Sequence, residues 1–157
     1  MKYIFDNNTL TGIFRHYYRD SFPSFWSRFD NMAAEGSIFS VREVHNEIKN
    51  YDRKDDLAFW AKANPNFFHD PTPEELQFIN QIYSVPHFTN NMSQKKLLLG
   101  GPFADPFIIA KAHVEHGTVV TQEQYKLNAA RIPNICEHFH IPCINLQMFL
   151  KQNDWNF

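Results

Sequence analysis

Cysteine is scarce in this chain, and the two present, Cys136 and Cys143, lack the two-residue spacing of a metal-binding pair. Their apolar company (Ile135, Ile141 and Ile144) reads them as buried free thiols, in keeping with a reducing cytoplasm. Long apolar runs are missing as well. No segment approaches the roughly 18 consecutive apolar residues that span a bilayer, and the N-terminus lacks the apolar core of a signal peptide. The expectation is a soluble, cytoplasmic protein with no membrane partner. A basic excess is also absent: 15 Lys and Arg stand against 17 Asp and Glu, a net charge of −2. A nucleic-acid partner must then be held by a local patch or through a metal bridge. Repeats and low-complexity tracts are lacking. The 8 histidines are scattered, only His138 and His140 standing close, so no histidine metal site is expected.

What the chain has is bulk for one core. Its 157 residues include 16 Phe and are 16% aromatic, which fits a single folded domain and argues against disorder. The domain is expected over residues 1–150, with 151–157 as a C-terminal tail. The pattern predicts strands at Lys2–Phe5, Ser37–Ser40, Asn66–His69, Thr118–Thr121 and Pro142–Leu146. Helices are expected over Thr9–Tyr18, from Phe22 to Gly36 with Ser21 or Ser24 as N-cap, and over Val41–Asn50 and Asp55–Asn64. Thr72-Pro73-Glu74-Glu75 reads as a capping box with Pro at the first helical position. Residues 87–103 read as a mobile loop. A helix then starts with Asp105 as cap and Pro106 behind it and ends at Gly117, and further helices start at Ile132 and Gln147. Strands alternating with helices imply an α/β fold whose sheet is mostly parallel and covered on both faces.

Four carboxylates carry the functional signal. Asp6 closes the run Tyr3-Ile4-Phe5, Glu47 follows the run ending at Val41, Asp105 heads an apolar helix, and Glu123 follows Val119-Val120-Thr121. Each has a dull reading: a turn residue for Asp6, a cap worth about 1 kcal/mol for Asp105, a solvated charge for the two glutamates. Jointly they suggest one acidic cluster at the carboxyl edge of the sheet, where open α/β folds bind ligands. A hard divalent cation, Mg²⁺ or Mn²⁺, is the natural counterion, and it would draw phosphate to an acidic surface. Asn8 stands where a dehalogenase-type phosphotransferase would want a second acid, which weighs against phosphotransfer. Arg131 is a candidate for the substrate crevice with a surface ion-pair role equally open, and Lys95-Lys96 could contact phosphate, although paired lysines are more often just solvated.

The order Ile4-Phe5-Asp6-Asn7-Asn8, Val44-His45-Asn46-Glu47-Ile48, Ala104-Asp105-Pro106-Phe107-Ile108-Ile109-Ala110 and Val119-Val120-Thr121-Gln122-Glu123 resembles a PIN domain. More narrowly it is similar to small single-domain PIN-like proteins such as the VapC ribonuclease toxins of type II toxin–antitoxin systems. The resemblance implies a three-layer α/β/α sandwich with about five strands and a metal-dependent endoribonuclease. It implies Asp6, Glu47, Asp105 and Glu123 as catalytic metal ligands for Mg²⁺ or Mn²⁺, supported by Asn8 and Thr121. It also implies an RNA substrate and a cognate antitoxin, and it is compatible with a homodimer. Two departures stand out: Asn7 replaces the commoner Ser or Thr, and Glu123 the commoner Asp. Glu43, one turn before Glu47, is the alternative for the second motif. A catalytically weak scaffold that binds RNA or protein is the alternative function.

Overall fold

A computed structural model describes residues 1–50, 54–99 and 103–157, with the side chains of all of these but 93–99. The strands are β1 (Tyr3–Phe5), β2 (Ile38–Val41), β3 (Phe68–His69), β4 (Thr118–Val120) and β5 (Cys143–Ile144). They form one sheet in the order β3-β2-β1-β4-β5, and every neighbouring pair is parallel. Register sets Tyr3 beside Ile38 on one side and beside Thr118 on the other. The helices are α1 (Asn7–His16), α2 (Pro23–Glu35), α3 (Arg42–Asn50), α4 (Asp56–Ala63), α5 (Pro73–Tyr83), α6 (Pro86–Leu99), α7 (Asp105–Glu115), α8 (Ile132–His138) and α9 (Leu146–Gln152). This is the expected three-layer α/β/α sandwich, and its sheet is wholly parallel.

Strand burial explains the choice of sheet. Every residue of β1, β2 and β4 is buried, and the near-continuous apolar runs are those of strands covered on both faces. Phe5 meets Phe29 of α2 and Phe149 of α9 at centroid distances of 6.3 and 5.1 Å, so those two helices share a face. The other face is spanned by α7, which packs against β1, β2 and β4. Its apolar residues on all sides befit a helix buried in the middle of a layer. Helix α5 lies against α7, and its capping box forms as expected, Thr72 Oγ1 accepting from Glu75 N at 3.3 Å and Glu75 Oε2 from Thr72 N at 2.9 Å.

Several expectations change. Residues 86–99 are helical, not a loop; Gln94-Lys95-Lys96-Leu97-Leu98-Leu99 are all good helix formers, which outweighs the polar content before them. Residues 100–102 of that expected loop lie outside the described residues, as do the side chains of Lys95 and Lys96. Neither Ser21 nor Ser24 caps α2; Phe22 holds the cap position without a side-chain bond, and Pro23 starts the helix. The left-handed residue after α7 is His116, at φ 53°, and not Gly117. Gly117 answers a different need: a Cβ there would lie 2.6 Å from Ile4 Cδ1 and 3.0 Å from Lys2 O. The segment 151–157 is no tail. Lys151 and Gln152 complete α9, and Trp155 is buried with its ring 5.2 Å from Phe25 and 5.3 Å from Phe149. No helix among the described residues is long and apolar enough to cross a membrane.

Candidate active site

The strand order fixes where a site belongs. The chain steps from β1 outward through β2 to β3, then returns to the other side of β1 for β4 and β5. The crevice between the carboxyl ends of β1 and β4 is therefore the topological switch point, where open parallel sheets bind ligands. Asp6 is the first residue past β1 and Thr121 the first past β4. Asp6 N donates to Val120 O at 3.0 Å, so the ladder carries the carboxylate into the crevice.

Hydrogen bonds then lock its orientation. Asp6 Oδ1 accepts from Asn7 N at 2.7 Å, and Oδ2 accepts from the Thr121 hydroxyl at 2.8 Å. Thr121 Oγ1 in turn accepts from Glu123 N at 3.1 Å and from Asn8 Nδ2 at 3.4 Å. Asn8 Oδ1 accepts from Gln122 N at 3.0 Å. One hydroxyl thus ties the ends of two strands to the start of α1, and Asn8 and Thr121 are joined to each other and, through Thr121, to Asp6. Asp105 stands at the first position of α7, and Ala104, which has no capping side chain, holds the cap. Asp105 is therefore not an ordinary N-cap.

Asp6, Glu47, Asp105 and Glu123 all line one open cavity of about 480 Å³, together with Phe103 and the exposed side of α1. The electrostatics there are unfavourable. The Asp6 carboxyl rises from its usual 3.8 to about 7, first because burial strips its hydration and next because of the charge of Asp105. The Thr121 bond offsets part of this, Glu123 adds to it, and the Asn7 amide offsets a little more. Asp105 also acts on Tyr83, whose phenol is pushed up by burial and then by that charge.

The two glutamates are held at the rim. Glu47 Oε1 accepts from Ala104 N at 3.0 Å and Oε2 from Asn7 Nδ2 at 3.2 Å, so it braces the start of α7 against the end of β1. Glu123 Oε2 accepts from Ile132 N at 2.9 Å, at the N-terminus of α8. Glu43 does not reach the cavity; it pairs with Arg42 at 2.8 Å, and its buried Oε2 has no hydrogen-bond partner among the described residues. Arg131 donates to Gln124 O at 3.2 Å and lies outside the cavity wall. Sequence reasoning overlooked Asn7 as a brace for Glu47, Tyr83 beside Asp105, and the α1 side chains of the cavity.

A family profile described as a domain of unknown function (DUF4411) matches residues 3–157. The chain belongs to the DUF4411 family. No curated protein and no solved structure matches it.

Among the described residues of this DUF4411 protein, no three Asp, Glu, His or Cys side chains close into a metal cage. Mg²⁺ asks for less: one or two carboxylates, several waters and a substrate phosphate. Asp6 and Asp105, whose charges oppose each other in one crevice, fit that requirement. The bracing geometry also separates the two candidates of the second motif. Glu47→Gln is expected to cut any metal-dependent activity about 10- to 100-fold, as loss of a group that supports metal ligands does, while Glu43→Gln changes it less than about threefold. Metal titrations of the two variants side by side check this, and the reverse order would move the motif to Glu43.

Proposed function

We propose that this DUF4411 protein is a metal-dependent endoribonuclease. The observation that supports the reading is the pairing of Asp6 with Asp105 at the switch point, two acidic side chains that line one crevice and whose like charges raise the Asp6 carboxyl. A bound Mg²⁺ or Mn²⁺ polarises a phosphodiester and lowers the pKa of attacking water. The chain supplies the rest. Asp6 and Asp105 hold the cation, and the Thr121 hydroxyl and the Asn7 amide keep the Asp6 carboxylate in one orientation. Glu47 fixes the start of α7, and with it Asp105, relative to Asn7. Glu123, tied through its backbone to Thr121, adds negative charge on the side of β4. By its resemblance to the VapC toxins the protein acts in the cytoplasm on a narrow RNA target and is restrained by a cognate antitoxin protein; a homodimer is compatible with this.

The second reading, a PIN-like scaffold that binds RNA or protein without efficient cleavage, is favoured by one observation. Glu47 and Glu123 already spend carboxylate oxygens on backbone amides. Incubating the purified protein with total bacterial RNA, and mapping new 5′ ends with Mg²⁺ or Mn²⁺ and with a chelator, separates the two. Discrete ends that appear only with the metal are expected. RNA retained by the protein but uncut under every metal condition would establish the scaffold instead.

A further inference from the structure

The acidic crevice solves the scissile phosphate's electrostatics only if a cation is present, and it leaves the neighbouring phosphates of a polyanion facing negative charge. Helix α1 carries the answer on its exposed stripe. Its buried stripe is Thr9, Leu10, Ile13 and Phe14, whereas Asn8, Thr11, Gly12, Arg15 and His16 line the cavity at helical i, i+3, i+4, i+7 and i+8 spacing. From Asn8 to Arg15 the helix advances about 10 Å. Gly12 lies between them, and a Cβ there would meet nothing within 4 Å, so neither packing nor a positive φ requires glycine at that position. A bare residue in mid-helix costs helix propensity, and what it leaves here is open space along the cavity wall. Arg15 is exposed and makes no ion pair among the described residues.

The geometry points to this stripe as the track for the substrate's sugar–phosphate backbone, with Arg15 binding the phosphate next to the scissile one at the Asp6–Asp105 crevice. The inference rests on the nuclease reading above. The planar guanidinium offers two parallel donors to a phosphate, a fit that an ammonium does not reproduce. Gly12 lets the strand lie against the helix between the two phosphates.

The test uses the full chain and a short random-sequence RNA pool. In the Asp105→Asn background, which leaves the RNA uncut, adding Arg15→Gln is expected to weaken binding about tenfold. It should also reduce the slope of log affinity against log salt by about 0.7, the value for one single-strand phosphate contact. In the cleaving protein Arg15→Gln raises KM about tenfold and keeps kcat within about twofold, and Arg15→Lys restores the salt slope. Gly12→Gln, whose Cβ has room in the fold, raises KM in the same way with a melting temperature at or above that of the wild type. An unchanged salt slope and KM for Arg15→Gln, in a wild type that cleaves, would overturn the track and leave Arg15 to a protein contact. A wild type that neither binds nor cleaves the pool would sink the nuclease reading, and the track with it.

Discussion

Asp6→Asn is expected to make the metal-free protein more stable while cutting RNA cleavage about a thousandfold. The two effects share one cause. A carboxyl that titrates at 3.8 when unfolded and at about 7 when folded binds more protons in the native state throughout that interval. Its stabilising protonation is complete below about pH 4 and is lost as pH rises through about 7. At about 1.4 kcal/mol per pKa unit, the ionised metal-free fold carries a penalty on the order of 4 kcal/mol at pH 8. Asparagine keeps the shape and a hydrogen-bonding oxygen but has no charge to desolvate, so it removes that penalty. Urea unfolding of the wild type in chelator should give lower stability at pH 8 than at pH 5, and Asp6→Asn should give nearly equal values. Adding Mg²⁺ or Mn²⁺ at pH 8 should stabilise the wild type by mass action and leave Asp6→Asn unmoved. The activity loss follows because a metal centre supplies several kcal/mol of transition-state stabilisation, and each 1.4 kcal/mol or so is a factor of ten. Equal wild-type stability at the two pH values would show that Asp6 is not strained, and the case for a cation at the crevice would lose its support.

The sequence was informative wherever one residue's local role coincided with its position in the fold. Asp6 ends a three-residue apolar run, and a parallel strand that ends in a crevice must end there, so its place was legible. Asp105 was legible through the apolar helix behind it, although its expected duty as a cap was wrong, because Ala104 precedes it in helical conformation. Thr121 gave only its position. Its link to Asp6 joins residues 115 apart and depends on β4 returning beside β1, which no local pattern specifies. Asn7 was read as a departure from a motif, whereas its amide braces Glu47 across 40 residues. Trp155 shows the same limit in the core. A lone tryptophan among polar residues near a terminus has no periodicity, so its insertion beside Phe25 and Phe149 becomes visible only in three dimensions. The helix at 86–99 was missed for a different reason. Its polar and apolar residues are mixed around the axis, so the amphipathic signal that marks a surface helix is absent there.

Lys111→Met is expected to destabilise the protein by about 3–5 kcal/mol, and Glu75→Gln in the same chain should recover most of that loss. Lys111 and Glu75 are each only 2% exposed at the side chain, and Lys111 Nζ lies 2.6 Å from Glu75 Oε1. The ammonium also donates to Asp70 O at 3.1 Å. Glu75 Oε2 is engaged by the capping-box bond from Thr72 N, while Oε1 has the ammonium and no other partner among the described residues. Methionine fills the volume of the lysine stem but strands a carboxylate in the core, and that uncompensated charge is the source of the cost. Glutamine at position 75 removes the charge and still completes a capping box, which accepts Glu or Gln at its third position. The pair also bears on the site. Lys111 lies on α7 about 9 Å along the axis from Asp105, and its bonds clamp that helix to the start of α5 and to the turn before it. A helix freed from this clamp can shift by the fraction of an ångström that misaligns a metal ligand, so Lys111→Met should lose more cleavage than its folded fraction accounts for. Denaturant unfolding of both single variants and the double variant gives the coupling directly. A loss below about 1 kcal/mol in Lys111→Met would mean that water reaches Glu75 once the lysine is gone, and that α7 is held by its apolar contacts alone.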